Sequence, residues 1–277
     1  MPKLNVSDGT KINYYLDDFT DPWLECDTIV IMYGCGGTAR IPYRLVPGLG
    51  RKYKVLRIDE RGTGESGMPP GGYKPSVERF AEDVLEVIDQ LGIQKIHLFG
   101  YHSGGWIGAM FAVSYPDRAK TLILCNSPYR GPADKRDIVD RFSQGGKDVA
   151  TSIRKLGYRE WAKRGGQSLA MEKNVTPEMK KWCDDERGKN ATEVEAARYG
   201  WAFTYDWRDR LEKINVPTLI LVGEKARYCP PEMACEMQKM IPNAQLAVMP
   251  NAGDNISFAH SDRCVEYILG FHQSLEG

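Results

Sequence analysis

The chain has no surplus of charge of either sign. Its 37 Lys and Arg are matched by 37 Asp and Glu, so there is no global field to hold nucleic acid or an anionic membrane. The expected partner is a small-molecule substrate, with no nucleic acid and no membrane. Long apolar runs are also missing: the opening residues, Met1-Pro2-Lys3-Leu4-Asn5-Val6-Ser7, contain nothing of signal or membrane-spanning length. The seven cysteines are odd in number and lack any C-x-x-C spacing, which argues against a disulfide framework and against a zinc site. They suit a reducing compartment, and a cytoplasmic location is the expectation. No metal and no cofactor is implied.

What is present is a chain of 277 residues, 42% of them hydrophobic, enough for one large core or a core with an insert. Leu4 to Val6 and Lys11 to Leu16 flank Ser7-Asp8-Gly9-Thr10, a hairpin signal that opens a sheet with two antiparallel strands. Short apolar runs follow at Thr28 to Met32, Lys54 to Ile58, Lys95 to Phe99, Thr121 to Cys125 and Thr218 to Val222. Such runs suit parallel strands covered on both faces. Between them, Phe80, Val84, Val87, Ile88 and Leu91 recur at helical spacing after Pro75-Ser76. The alternation predicts a doubly wound α/β fold with a mainly parallel sheet.

From about Pro128 to about Lys213 the strand signal gives way to charged sequence carrying Tyr158, Trp161, Trp182, Tyr199, Trp201, Tyr205 and Trp207. Linkers lack such aromatics, so a helical insert is expected over 129–212, with the core formed by 1–128 and 213–277. Most of these rings would pack the insert's own interior, and a few would border a pocket between insert and sheet.

The most informative residues are Gly100-Tyr101-His102-Ser103-Gly104-Gly105, lying between an apolar strand and a helical run. The pattern G-x-nucleophile-x-G makes a sharp strand-to-helix turn that projects one strained side chain into a pocket. Histidine occupies the central place. Ser103 is one position too late, because a nucleophile there would need glycines at 101 and 105, and position 101 is tyrosine.

Three further segments stand in order around this elbow: Tyr33-Gly34-Cys35-Gly36-Gly37 after the third strand, Asp59-Glu60-Arg61-Gly62-Thr63-Gly64-Glu65-Ser66, and Ala252-Gly253-Asp254 before the last helix. With them the chain resembles the α/β-hydrolase superfamily over nearly its whole length, and more closely its small esterase, lactonase and peptidase-like members with a helical cap. The resemblance implies that fold and a helical cap, but not the usual chemistry. A family triad would need serine at 102, histidine at 254 and an acid near 226 or 126, and those places hold His102, Asp254, Ala226 and Asn126. Exchange of a single serine in an engineered esterase would explain His102 but not Asp254, Ala226 and Tyr33 together. His260 falls in a segment that faces away from the elbow in the family, and His97 and His272 read as structural.

The resemblance brings the elbow and the Asp254 loop together over the sheet's C-terminal edge. His102 and Asp254 are therefore the catalytic candidates: a carboxylate beside an imidazole would fix its tautomer and raise its pKa. Backbone N–H groups at Cys35 and Ser103 are the expected oxyanion donors, with Gly34, Tyr33 and Asn126 completing the oxyanion and substrate-binding set. Such a site would act on a small carbonyl-bearing molecule, by hydrolysis or by isomerase, lyase or cyclase chemistry. Two alternatives stand beside it: a noncatalytic receptor that keeps the pocket, and a relocated Cys35-His102-Asp254 thiol hydrolase. Asp59 and Arg61 are expected to form a structural ion pair, and Glu224 to be structural.

Overall fold

The computed structural model describes residues 2–132, 136–164, 172 and 174–276. Eight strands form one sheet in the order β1-β2-β4-β3-β5-β6-β7-β8. They are β1 (Lys3–Asn5), β2 (Lys11–Asp17), β3 (Thr28–Met32), β4 (Lys54–Ile58), β5 (Ile96–Tyr101), β6 (Ala119–Cys125), β7 (Thr218–Gly223) and β8 (Ala244–Met249). β1 and β2 pair antiparallel, as do β2 and β4, and every later pairing is parallel. Seven of the strands coincide with the apolar runs and the hairpin read from the sequence. β8 has no such run because it is the sheet's edge, where Val248 stays 38% exposed and Gln245 faces solvent.

Successive strand residues point to opposite faces, and the core divides accordingly. Val30 and Leu98 join one cluster with Phe80, Val84 and Phe111, whereas Ile29 and Phe99 join the other with Val265 and Ile268. Each such side chain contributes roughly 1.5–3 kcal/mol on burial. The helices are α1 (Val46–Leu49), α2 (Val77–Gln90), α3 (Gly104–Ser114), α4 (Arg136–Ser143), α5 (Val149–Leu156), α6 (Tyr158–Arg164), α7 (Pro177–Arg187), α8 (Thr192–Ala202), α9 (Pro231–Met240), α10 (Ile256–Ala259) and α11 (Ser261–Ser274). Ser76 caps α2 by accepting from Arg79 N–H at 3.2 Å, which starts the helix where its apolar stripe begins.

Between β6 and β7 the described residues form α4 to α8 and contribute no strand to the sheet. Tyr158, Trp161, Val149 and Ile153 make a separate small core there. Among the described residues, no helix is long and apolar enough to cross a membrane. The expected Asp59–Arg61 pair does not form. Arg61 instead grips Asp83 at 2.6 Å and Asp8 at 2.6 Å. Asp59 accepts from the Ala39 and Glu65 amides and from Asn13 Nδ2, so its oxygens are already taken.

Candidate active site

β5 runs into the elbow without a break. His102 adopts φ 50°, in the left-handed region that histidine tolerates better than bulkier residues, and its amide donates to Cys125 O at 3.1 Å. The glycines around it are required by contact. A Cβ at Gly100 would lie 2.3 Å from Gly105 Cα, and one at Gly104 would lie 2.2 Å from Met32 O. The turn lifts the His102 ring into a cavity of about 110 Å³, many times what one water needs. Its walls combine the elbow with Tyr33, Phe142, Arg187, Tyr199 and Tyr228.

His102 and Asp254 do meet, but through a different atom from the one expected. His102 Nε2 lies 3.2 Å from the Asp254 backbone carbonyl. The Asp254 carboxylate faces the other way, where its Oδ1 accepts from the Arg227 amide at 2.8 Å and the Tyr228 amide at 3.1 Å. It is only 3% exposed, and burial raises its pKa. The expected carboxylate orienter is therefore corrected to a carbonyl orienter. Because a carbonyl only accepts, the bond requires a proton on Nε2 and leaves the lone pair on Nδ1. Tyr101 Oη and Asn126 Nδ2 also donate to this carbonyl, both at 2.7 Å, so a cluster of donors fixes it in place.

The direction of the imidazole's pKa is corrected as well. Burial lowers it to about 4, the Asp254 carbonyl bond opposes that, and the nearby Arg187 charge lowers it further. At neutral pH the ring is uncharged.

The oxyanion set is rearranged. The Cys35 amide donates to Ser103 Oγ at 2.8 Å, and the Gly34 amide to Glu60 Oε1 at 3.1 Å, so neither donor points freely into the cavity. Ser103, Cys35 and Tyr33 line the cavity, whereas Asn126 and Gly34 do not. Asn126 is fully buried and stitches strand ends together: its Oδ1 accepts from Gly223 N–H at 2.9 Å, and its Nδ2 reaches Gly253 O at 3.0 Å. Its sequence assignment to substrate binding is corrected to support of the Asp254 loop. Tyr33 packs its ring on Tyr101 with centroids 4.6 Å apart. Cys35 carries a thiol that burial pushes up to about 12, which removes the thiolate required for a thiol hydrolase. His260 pairs with Asn174 at 3.0 Å and does not line the cavity.

Two features escaped the sequence reading. Arg187, at the end of α7, is 6% exposed and puts a permanent cation on the cavity wall. Beneath the Cys35 loop, Arg198 of α8 bridges Glu60 at 2.7 Å and Glu195 at 2.9 Å. Glu195 also accepts from the Gly36 amide at 3.0 Å, which ties the inserted helices to the loop. Glu195 and Arg198 at helical spacing were visible as a pair, but nothing in the sequence pointed to Glu60 as the third member.

The model of the family described as alpha/beta hydrolase fold matches residues 27–261. The chain is 26% identical over 272 residues to the protein named "Putative carbamate hydrolase RutD" of Stutzerimonas stutzeri, covering 93% of this chain and 95% of that one. It is 24% identical over 275 residues to a 2-hydroxy-6-oxononadienedioate/2-hydroxy-6-oxononatrienedioate hydrolase of Burkholderia vietnamiensis, covering 96% and 93%. A hydrolase from Pseudomonas aeruginosa superposes with TM-score 0.77 at 25% identity, covering 98% of this chain and 97% of that one. The elbow, the sheet order and the extent of the family match together place this chain in the α/β-hydrolase fold family.

Proposed function

We propose that the chain is an enzyme that takes a small, largely apolar, carbonyl-bearing anion into this cavity and uses the neutral His102 as its acid/base group. The observation that carries the reading is the Nε2 bond to the Asp254 carbonyl, which leaves Nδ1 to accept a proton from substrate or from water. A base must be neutral to act, and this ring stays neutral well below physiological pH. Arg187 suits an anion on the same wall and disfavours a resting imidazolium. The relatives' names agree with the substrate class, since a carbamate and a hydroxy-oxo-dienedioate both carry carbonyls and the second is an anion. With histidine in place of a nucleophilic hydroxyl at position 102, both water activation and proton removal beside a carbonyl fit the site, acting beneath the inserted helices as a lid.

The test is turnover across a panel of carbamates, esters, lactones and enolisable oxo acids. His102→Ala should lower the rate by about a hundredfold while leaving affinity within severalfold, the scale of losing a general acid/base. Full retention of turnover would remove His102 from the mechanism. A noncatalytic receptor is the second reading, favoured by the Ser103 hydroxyl covering the Cys35 amide. Tight binding across the panel without turnover by the unaltered protein would select it.

A further inference from the structure

Ser103 is the residue after the elbow side chain, where the fold needs only an amide, yet its hydroxyl holds a defined position. Oγ accepts from the Cys35 amide at 2.8 Å, and Ser103 lines the cavity beside His102. This position depends on Gly34, because a Cβ there would lie 2.5 Å from Oγ. A hydroxyl that accepts from an amide still has its own proton to donate. The neighbouring Cys35 sulfur is a weak acceptor, so that proton is available to anything better. The Ser103 amide stands next to it, at the start of α3, where helical N–H groups lack intrahelical partners.

We propose that Ser103 Oγ, backed by the Cys35 amide, is the side-chain donor to a ligand oxyanion, working with the Ser103 amide in place of the usual pair of backbone amides. The assignment rests on the cavity binding a small carbonyl-bearing anion. Its consequence is geometric: the anion sits one hydrogen-bond length further from the Cys35 loop than an amide-only hole would hold it, displaced into the cavity. The ligand oxygen is that of an enolate or phenolate. Such an oxygen is planar and stays planar on binding, which suits aromatic walls formed by Trp106, Phe142 and Tyr228. A hydroxyl also makes shorter bonds to anionic oxygen than an amide does.

The experiment is titration of the whole protein with 4-nitrophenol, whose absorbance reports the ionised fraction of bound probe across pH. The wild type should bind the phenolate in preference to the phenol. Ser103→Ala should reduce that preference by about tenfold to a hundredfold, the scale of one hydrogen bond to a charged group. Ser103→Cys, similar in size but a weaker donor, should fall between them. Undiminished or increased preference in Ser103→Ala would overturn the assignment and make Oγ a plug over the Cys35 amide. Benzoate titrated against the wild type separates the two levels of failure. Benzoate binding without any phenolate preference overturns the hydroxyl donor alone. Failure of both probes to bind overturns the anion pocket and this assignment with it.

Discussion

His97, near the start of β5, and His102, just past its end, differ above all in the number of ring nitrogens with protein partners. His97 Nδ1 meets Thr121 Oγ1 at 2.8 Å and its Nε2 lies 3.4 Å from Asp27 Oδ2. The same Thr121 hydroxyl meets His272 Nε2 at 2.9 Å, and His272 Nδ1 meets Tyr53 Oη at 2.7 Å. At that end of the sheet both nitrogens of both rings are occupied, and the rings serve as struts between β5, β6 and α11. His102 has a protein partner on Nε2 alone among the hydrogen bonds of the described residues, and its ring lines a cavity. All three rings are held below the usual histidine pKa by burial. A lowered pKa therefore does not separate strut from candidate catalyst, but the second nitrogen does.

The largest expected effect is on the network that backs the site. Arg198→Met would leave Glu60 and Glu195 facing each other uncompensated, and should cost about 3–5 kcal/mol in urea unfolding. A loss below 1 kcal/mol would mean the inserted helices are not anchored there. Thr121→Val should cost about 1–3 kcal/mol, since it orphans a nitrogen on each of two buried rings. Equal costs for Thr121→Val and His102→Ala would erase the contrast between the two ends of β5.

The contrast also has a pH signature. His272 is neutral in the fold down to about 4, whereas in the unfolded chain it protonates near 6.5. Above about 6.5 neither state binds the proton, and the contribution of the neutral ring is complete. As pH falls from there towards 4 the unfolded chain takes up a proton that the fold refuses, so stability declines. Unfolding midpoints at pH 7, 5.5 and 4.5 should show the decline, with a shallower slope in His272→Gln; identical slopes would contradict it. His102 should likewise show one neutral tautomer, with the proton on Nε2, by nitrogen NMR down to about 4.

Smaller effects follow at the remaining candidates. Iodoacetamide at neutral pH should label exposed Cys235 well before Cys35, whose thiol stays protonated. Prior labelling of Cys35, read by peptide mass, would restore the thiolate mechanism. Asp254→Asn should change His102 titration and turnover least of all, because the partner is the backbone carbonyl and an amide oxygen can still accept from Arg227 and Tyr228. A hundredfold loss of turnover would return the carboxylate to the mechanism.

The elbow, the hairpin and the parallel strands were legible because their signals are local: glycines at fixed offsets, Asp8-Gly9, and apolar runs bounded by turns. β8 was not, since an edge strand has one side open to solvent and need not be apolar. The pairing of His102 with residue 254 was legible from the order of motifs, but the atom that makes the contact was not. The Arg227 and Tyr228 amides capture the carboxylate, and that depends on how the loop after β7 lies against the loop after β8.

The family, the turn that lifts residue 102 and the replacement of serine by histidine there can all be read from the chain alone, because each follows from residue type at a fixed spacing. The tertiary structure decided which nitrogen of His102 is held, that Arg187 shares its cavity, and that Ser103 Oγ rather than the open cavity receives the Cys35 amide. Those outcomes depend on distances of a few ångströms between segments remote in the chain, and hydrogen bonds and charge interactions vary steeply over just that range.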